Sequence, residues 1–439
     1  MELNNLPDCA YEIAKIVKGE LKGENRIIGT IVTNTMDNDI ANSCFVAINS
    51  GKKYIKDAIK KGAKIIITDE KTEESVPVIY VEDVIKALGL LGKYNKRKTK
   101  IIGVTGSVGK TTTKEMLASV LSRKFNICFT KSNNNNELGV ALTLMKIKDE
   151  DYCVVEMGMR HKGDIQYLAS LCEPDISVIT CCGSSHLEFF NDKSEIIKEK
   201  SEIVKYTNEL SVLPNEENFH ILKSKAKRTL YVGNGGDCYA KNVSVNRQIK
   251  FDAVYENRVI RDVVIDSIYE HNITNALNVI AIAKHLQIDN ELIRAGLIDY
   301  KKELLREQRY IINGAEIIAD CYNASFESMK GAIMSVADYS KKQRKSIVLV
   351  LGDMLELGDM AALFHREIGA LAKKCGAENI YLYGQYSEEY IKGYGKGYKY
   401  TDLDSLSDDL RRELDGNKVV LVKASRAMNF EKIVENLRK

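Results

Sequence analysis

One segment restricts the possible folds of this chain more than any other. The apolar strand pattern IIGVT (101–105) runs into GSVGKTTTKEML (106–117), which opens a helix pattern. Gly-Lys-Thr between a strand and a helix is typical of a phosphate-binding loop, in which backbone N–H groups and the helix N-terminus point at phosphate oxygens. The strict spacing G-x-x-x-x-G-K-[ST] is not met, because Val104 stands five residues before Gly109. We therefore predict a variant of this loop that binds a nucleoside triphosphate.

The chemistry of such a loop assigns roles to the residues around Gly-Lys-Thr. Lys110 is expected to neutralise the charge of the β- and γ-phosphates, and the hydroxyl of Thr111 to coordinate Mg²⁺. The other residues expected at the nucleotide are Thr105, Gly106, Ser107, Gly109 and Thr112. Kinases, GTPases, helicases and ligases all use loops of this kind, so the loop alone does not choose a function. A GTPase is expected to carry a guanine-reading Asn-Lys-x-Asp segment, which this sequence lacks.

The length of the chain and its alternating patterns predict an α/β protein with three domains. At 439 residues, the chain exceeds the roughly 250 to 300 residues at which one hydrophobic core stops growing. We expect a small N-terminal α/β domain (1–97), a central domain with the parallel sheet of a P-loop ATPase (98–310) and a Rossmann-like C-terminal α/β domain (311–439). The stretch 229–270 is rich in short β patterns, which predicts a small antiparallel appendage.

Charge and composition exclude several classes of protein. The 64 Lys and Arg against 61 Asp and Glu leave a net charge of +3, which favours neither nucleic acid nor an anionic membrane as a partner. The 10 cysteines lack the paired C-x-x-C spacing of a structural zinc site. No apolar run approaches the roughly 18 residues of a membrane-spanning helix, and the N-terminus has no signal-peptide pattern. We expect a cytoplasmic monomer without membrane insertion.

Further motifs follow the loop in a fixed order. They are SNNNNELG (132–139), VVEMGMRHKGDI (154–165), GSSHLEFFNDKSEIIKEKSEI (183–203), HNITNAL (271–277), DCYNASFESM (320–329), LVLGDMLELG (349–358) and KASRAM (423–428). Together with the loop, they resemble the Mur ligases, which join an amino acid or dipeptide to a cell-wall precursor. The resemblance covers residues 98–439. The segments around Asp320 and Asp353 are similar to the branch that adds D-alanyl-D-alanine to a UDP-linked muramoyl tripeptide.

This resemblance implies an ATP-dependent amide ligase of peptidoglycan precursor synthesis. In the family, the acceptor carboxylate attacks the γ-phosphate of ATP, and an amine then attacks the resulting acyl phosphate. Two phosphates and a carboxylate must therefore come together, so cations have to dominate the site. The implied cofactors are ATP and Mg²⁺, and the implied partners are the UDP-linked muramoyl peptide and D-alanyl-D-alanine.

Three residues are implied as metal ligands beside Thr111. Glu156 ends a strand pattern and offers the hard oxygen that Mg²⁺ prefers, although strand-end glutamates are more often solvated. His186 and Lys200 match a second pair, in which the family's lysine carries a carbamate. Only neutral lysine reacts with CO₂, so this interpretation requires a lowered pKa for Lys200. The alternative for Lys200 is an exposed lysine in the helical run SEIIKEKSEI.

The resemblance also places residues around the nucleotide and the acceptor. Asn272 and Asn275 are expected at the adenine edge, and Asn272 could also cap a helix, which would not prevent contact with the base. Arg306 is expected to reach the nucleotide, with Leu305 where the family usually has glycine, and Asp320 is expected at the ribose or adenine. The residues expected at the phosphates, carboxylate or dipeptide are Asn135, Asn136, Tyr322, Asn323, Lys423, Ser425 and Arg426.

The N-terminal domain departs from the family pattern. Where the family has Asp-Ser-Arg and Asp-Gly-His for the uridine nucleotide, this chain has Thr33-Asn34-Thr35 and Lys52-Lys53-Tyr54. An alternative function is therefore a Mur-like amide ligase that acts on a different carboxylate in a specialised pathway. A nucleotide-binding module without ligase activity is a third possibility. The joint presence of Lys110, Glu156, His186 and Lys200 argues against that module.

Overall fold

Three separate sheets organise the chain, in agreement with the three predicted α/β units. The computed structural model describes residues 3–72, 74–183, 187–190 and 192–439. Within this described part, no helix combines the length and the apolar content that crossing a membrane requires.

The N-terminal unit is a five-stranded sheet in the order β1-β5-β4-β3-β2. Its elements are α1 (Ala10–Val17), β1 (Glu20–Lys22), β2 (Thr30–Val32), β3 (Ser43–Val46), α2 (Ile55–Lys60), β4 (Ile65–Thr68), β5 (Val78–Tyr80) and α3 (Val84–Asn95). Strands β2 to β5 are parallel, whereas β1 pairs with β5 in the antiparallel direction. Strand β4 is buried along its whole length, which explains its continuous apolar sequence.

The central unit contains a nine-stranded sheet in the order β14-β13-β12-β11-β10-β9-β6-β8-β7. Its strands are β6 (Lys100–Thr105), β7 (Ile127–Phe129), β8 (Tyr152–Glu156), β9 (Ile176–Ile179), β10 (Leu210–Pro214), β11 (Arg228–Val232), β12 (Cys238–Val245), β13 (Ile249–Tyr255) and β14 (Arg258–Ile265). Its helices are α4 (Lys110–Leu121), α5 (Glu137–Met145), α6 (Asp164–Cys172), α7 (Lys193–Ser201), α8 (Glu217–His220), α9 (His271–His285) and α10 (Asn290–Asp299). Strand β6 lies between β8 and β9, and all three are parallel.

The antiparallel strands predicted within 229–270 are present as β12, β13 and β14, but they continue the central sheet, and β11 belongs to its parallel part. Strand β11 pairs with β10 in parallel, and β12 to β14 extend the same sheet as antiparallel strands. Phe251 and Val263 on these strands are buried in one hydrophobic core with Ile280 of α9. Because α9 covers both the parallel strands and this extension, the two parts form a single layer.

The C-terminal unit is a six-stranded sheet in the order β15-β16-β20-β17-β18-β19. Its elements are β15 (Gln308–Ile312), β16 (Ala315–Ala319), α11 (Phe326–Gln343), β17 (Ser346–Gly352), α12 (Ala361–Lys374), β18 (Asn379–Tyr383), α13 (Ser387–Tyr394), β19 (Tyr398–Tyr400), α14 (Leu403–Glu413), β20 (Lys418–Lys423) and α15 (Glu431–Arg438). Only the edge strand β15 is antiparallel to its neighbour in the described sheet. This third sheet begins at Gln308, two residues before the expected boundary.

Asn95 fastens the first unit to the second. Its side chain is fully buried at the end of α3, and its Nδ2 donates to the carbonyls of Leu144 (2.9 Å) and Ile147 (2.8 Å). Its Oδ1 accepts from the backbone N–H of Asn5 at 3.2 Å. Helices α3 and α5 approach closely here, since a Cβ on Gly92 of α3 would lie 2.9 Å from the Cβ of Leu144 on α5.

We expect Asn95→Ala to destabilise this junction. The substitution leaves buried polar groups without their partner, which costs about 1 to 3 kcal/mol. Urea unfolding, followed by circular dichroism, should show a free energy of unfolding lowered by that amount. The neighbouring Tyr94 is exposed, so Tyr94→Ala is the matched control with little expected change. Equal stability of Asn95→Ala and the unmodified chain would contradict this role.

Candidate active site

A cleft of about 860 Å³ lies between the central and C-terminal units and reaches the first. Lys110 and Glu156 line it from the carboxyl ends of β6 and β8, while Asp320 and Lys423 line it from the ends of β16 and β20. Asn49 adds a wall from the N-terminal unit. Carboxyl ends of parallel strands are the usual place for ligands in open α/β sheets. The three sheets thus converge on one candidate site.

The phosphate-binding loop between β6 and α4 requires its glycines. Gly106 and Gly109 have φ angles of 149° and 89°, which side chains disfavour. A Cβ on Gly106 would lie 2.0 Å from Thr180 Oγ1, and one on Gly109 would lie 2.3 Å from Asn275 Oδ1. The Thr180 hydroxyl also donates to the Val108 carbonyl at 2.5 Å. The neighbouring chain segments therefore fix the shape of the loop.

The side chain of Lys110 folds back over this loop. Its Nζ donates to the Gly106 carbonyl at 2.7 Å. Burial lowers the pKa of Lys110, and the nearby Arg306 charge lowers it further, while Glu156 opposes the change. Ser107, Thr111 and Thr112 line the cleft beside Lys110. Thr105 is fully buried behind the loop.

Glu156 offers an oxygen suited to a divalent cation. Its side chain is 1% exposed, and its Oε1 accepts from Asn135 Nδ2 at 2.8 Å. Its Oε2 has no hydrogen-bond partner within the described part of the chain. The hydroxyl of Thr111, which accepts from Arg306 Nη2 at 3.2 Å, faces the same cleft. A buried carboxylate oxygen without a hydrogen bond and a nearby hydroxyl fit the hard ligands that Mg²⁺ requires.

Lys200 lies inside the protein and not on an exposed helix face. The side chain is 1% exposed, so the alternative interpretation as a surface lysine was wrong. Burial lowers the pKa of Lys200 to about 8, with a further lowering by the charge of Lys110. Lys200 is not among the described residues that line the cleft. His186, the other expected ligand, falls outside the described residues.

Glu199, which the sequence did not single out, holds the helix that carries Lys200. Its carboxylate is buried and accepts from the backbone N–H groups of Gly163 (3.0 Å) and Ile165 (2.9 Å). These groups lie at the N-terminus of α6, where backbone donors lack helical partners. Glu199 therefore ties α7 to α6 and fixes the position of its neighbour, Lys200.

Asn272 and Asn275 lie in the first turns of α9. The prediction that Asn272 caps this helix was wrong, because the helix begins at His271 and Glu270 occupies the cap position. Asn272 donates to Ser267 Oγ at 2.8 Å and accepts from Asn275 Nδ2 at 2.8 Å. Asn272 lines the cleft. Asn275 instead packs beneath Gly109 of the phosphate-binding loop and supports it.

Lys423 and Asp320 form a buried ion pair on the C-terminal wall. The Lys423 Nζ lies 2.5 Å from Asp320 Oδ2 and also donates to the Asn323 carbonyl at 3.2 Å. Ser425 Oγ accepts from the Leu355 N–H at 3.0 Å and so holds the cleft-lining segment that follows β17. On the C-terminal wall, the positive charge of Lys423 is therefore already paired with the carboxylate of Asp320.

The remaining expected residues lie at the rim of the cleft. Arg426 is exposed and pairs with Glu431 at 2.5 Å. Tyr322 places its ring under the guanidinium of Arg306, with 4.4 Å between the guanidinium carbon and the ring centroid. Asn136 is exposed, and its side-chain oxygen caps α5 by accepting from Gly139 N–H at 2.9 Å.

Several cleft residues were missed by the sequence interpretation. His271 lines the cleft from the first position of α9 and is exposed to it. Lys114, Glu115 and Glu303 form an ion-pair cluster at the same site. The position of Lys114, four residues after Lys110 on one helix face, was the signal that could have identified it.

Known proteins are similar to this chain over almost its whole length. Family models described as "Mur ligase middle domain" and "Mur ligase, glutamate ligase domain" match residues 104–283 and 303–426. The UDP-N-acetylmuramoyl-tripeptide--D-alanyl-D-alanine ligases of Bacillus subtilis (strain 168) and Escherichia coli (strain K12) are 32% and 28% identical to the chain. Each alignment covers 97% of this chain and 97% of the relative.

Solved structures show the same likeness. MurF from Acinetobacter baumannii superposes with a TM-score of 0.90 at 26% identity and covers 99% of this chain and 100% of its own. The MurF ligase from Thermotoga maritima in complex with ADP superposes with a TM-score of 0.85 at 28% sequence identity. The superposition covers 93% of this chain and 96% of the Thermotoga maritima chain. With two domain models and full-length relatives at about 30% identity, the chain belongs to the Mur ligase family.

Proposed function

We propose that this chain is the ATP-dependent ligase that joins D-alanyl-D-alanine to UDP-N-acetylmuramoyl-tripeptide in peptidoglycan precursor synthesis. The observation that carries the proposal is the cleft in which Lys110, Thr111 and Glu156 face Arg306 and Asp320 across two units. The full-length relatives support it, since they carry that activity in their names and match 97% of the chain. We further propose a cytoplasmic monomer.

The reaction requires that a carboxylate attack a phosphate, although both are anions. The tripeptide carboxylate oxygen bonds to the γ-phosphorus, the bond to the β-phosphate oxygen breaks, and ADP leaves. The dipeptide amine then attacks the acyl carbon, phosphate leaves and the amine loses its proton. Lys110 and Arg306 lower the repulsion between the two anions by their position at the loop. Mg²⁺ held by Glu156 and Thr111 would add charge neutralisation at the β- and γ-phosphates.

Lys200 has the properties that a carbamate requires. Burial lowers the pKa of Lys200 to about 8, which increases the share of neutral side chains near pH 7.5 over that of an ordinary lysine, and only the neutral amine reacts with CO₂. The carbamate converts repulsion between Lys200 and Lys110 into attraction. Carbamylation would therefore remove an unfavourable pair of buried cations from the site.

The N-terminal unit provides the reason to keep a second candidate. Lys52 could replace the missing arginine at the uridine diphosphate, but it pairs with Asp69 at 2.7 Å and Glu70 at 3.4 Å. Lys53 and Lys56 are exposed and remain available for a phosphate. A lost bidentate arginine–phosphate contact costs about 1.5 to 3 kcal/mol. This arrangement favours, as the second candidate, a Mur-like ligase with another carboxylate acceptor.

The decisive experiment measures both binding and turnover of the acceptor. We expect calorimetry to give micromolar affinity for UDP-N-acetylmuramoyl-tripeptide, and ADP release to require both this compound and D-alanyl-D-alanine. The panel should include tripeptides ending in lysine and in diaminopimelate, with the dipeptide L-alanyl-L-alanine as the control. No heat at millimolar acceptor would reject the muramoyl tripeptide and move the assignment to the second candidate.

Lys110→Ala tests the phosphate-binding loop. We expect ATP turnover to fall about 100-fold or more, because the charge that stabilises the transferred phosphate is lost. Thermal unfolding should remain close to that of the unmodified chain, because Lys110 packs over the loop and is absent from the hydrophobic core. Ser122→Ala, at the exposed far end of α4, is the matched control. Full activity of Lys110→Ala would remove the loop from the mechanism.

Lys200→Ala tests the carbamate. We expect an almost inactive enzyme that small carboxylic acids partly rescue, because they can supply the oxygen ligand that the carbamate provided. Lys198 is exposed on the same helix, so Lys198→Ala should retain activity. An unmodified Lys200 in a crystal with bound ATP analogue, grown in bicarbonate, would contradict the proposal.

A further inference from the structure

We propose that Lys114 is a positioning residue that holds Arg306 at the nucleotide through Glu303. Lys114 lies one helical turn after Lys110 on α4, yet its side chain is fully buried. Glu303 belongs to the linker between the central and C-terminal units, 189 residues away in sequence. The inference rests on the proposed function, because it assigns Arg306 to the reacting phosphates.

The Lys114 ammonium joins three parts of the protein. Its Nζ lies 2.9 Å from Glu303 Oε1 and 2.9 Å from Glu115 Oε1, and it donates to the Ser132 carbonyl at 3.2 Å. The nearest oxygen of Glu156 is 4.0 Å away. Because the contact with Glu303 is direct, Lys114 acts chiefly on the linker and less on Glu156. All three carboxylates line the cleft, so the ammonium also balances their charge.

The linker has to be held because its backbone is strained. Leu305 and Glu307, which flank Arg306, have φ angles of 63° and 48°. Residues other than glycine rarely adopt this left-handed backbone conformation. Between them, Arg306 reaches Thr111 Oγ1 at 3.2 Å. Strained conformations persist where surrounding contacts determine them. The linker therefore needs fixed points on both sides of Arg306.

Two carboxylates supply such fixed points, Glu307 on one side of Arg306 and Glu303 on the other. Glu307 is buried and accepts from Ser267 Oγ at 2.6 Å and from the Ile268 N–H at 2.7 Å. Glu303 is held by Lys114 at 2.9 Å. Removing the charge of Glu303 would weaken the hold on the linker on the N-terminal side of Arg306, where the hydrogen bonds of Leu305 would remain. Arg306 could then move away from Thr111.

The kinetic test combines Glu303→Gln with Arg306→Ala. We expect Glu303→Gln to lower kcat about tenfold, while calorimetric affinity for ADP changes no more than about threefold. In the Arg306→Ala background, the same substitution should change kcat less than about twofold, because Glu303 acts through Arg306. An equal loss in both backgrounds would overturn the inference.

Glu115→Gln is the matched control. Glu115 contacts the same ammonium at the same distance as Glu303, but it lies on α4 beside Lys114, whereas Glu303 lies on the linker itself. We expect its loss of kcat to be at least about threefold smaller than that of Glu303→Gln. Equal losses would mean that Lys114 only balances charge, and would overturn the positioning role.

A crystal structure of Glu303→Gln with a non-hydrolysable ATP analogue tests the geometry without any acceptor. Displacement of the Arg306 guanidinium from Thr111 supports the inference, and an unchanged contact overturns it. Lys114→Arg, which keeps the charge, should restore most of the activity that Lys114→Met loses. If the unmodified enzyme turns over no muramoyl tripeptide, the proposed function fails, while this crystallographic comparison still decides the role of Glu303.

Discussion

The phosphate-binding loop depends on the close approach of Asn275 to Gly109. The side-chain oxygen of Asn275 occupies the space where any Cβ at position 109 would stand, 2.3 Å away. Asn275 is itself held by Asn272 at 2.8 Å, and Asn272 is held by Ser267 at 2.8 Å. Glu307 of the linker accepts from the same serine at 2.6 Å. Buried hydrogen bonds therefore run from Asn275, which packs against the loop, to Glu307 of the linker, and hydrogen-bonded networks of this kind are rigid.

Three buried or half-buried lysines surround the phosphate-binding loop. Lys110, Lys114 and Lys200 all lie near the loop, and burying an ammonium is costly unless a partner compensates for it. Lys114 is compensated by carboxylates, and although burial lowers its pKa, these partners raise it overall. Lys110 and Lys200 have lowered pKa values, with burial as the main cause. A triphosphate would supply the negative charge that Lys110 lacks.

The sequence predicted the three α/β units and the loop because these depend on local patterns. Strand-end positions such as Glu156 followed from the same patterns, and the family resemblance was confirmed by full-length relatives. The contact between Lys114 and Glu303 could not be predicted, because it joins residues 189 positions apart. The antiparallel strands within 229–270 were predicted, but their place in the central sheet was not, because short strands do not reveal which sheet they join. Whether Lys200 is buried or exposed was left open, because its local sequence is that of an exposed helix.

The linker shows how a departure from the family pattern can be tolerated. Leu305 stands where the family usually has glycine, and it keeps a φ of 63°, at a cost of about 1 to 2 kcal/mol relative to an ordinary conformation. Its N–H donates to Gln308 Oε1 at 3.0 Å, and its carbonyl accepts from Tyr322 N–H at 3.1 Å. Two hydrogen bonds of about 1 kcal/mol each offset a strain of this size. Because both partners belong to the C-terminal unit, the strained turn also sets how that unit presents Tyr322 to Arg306.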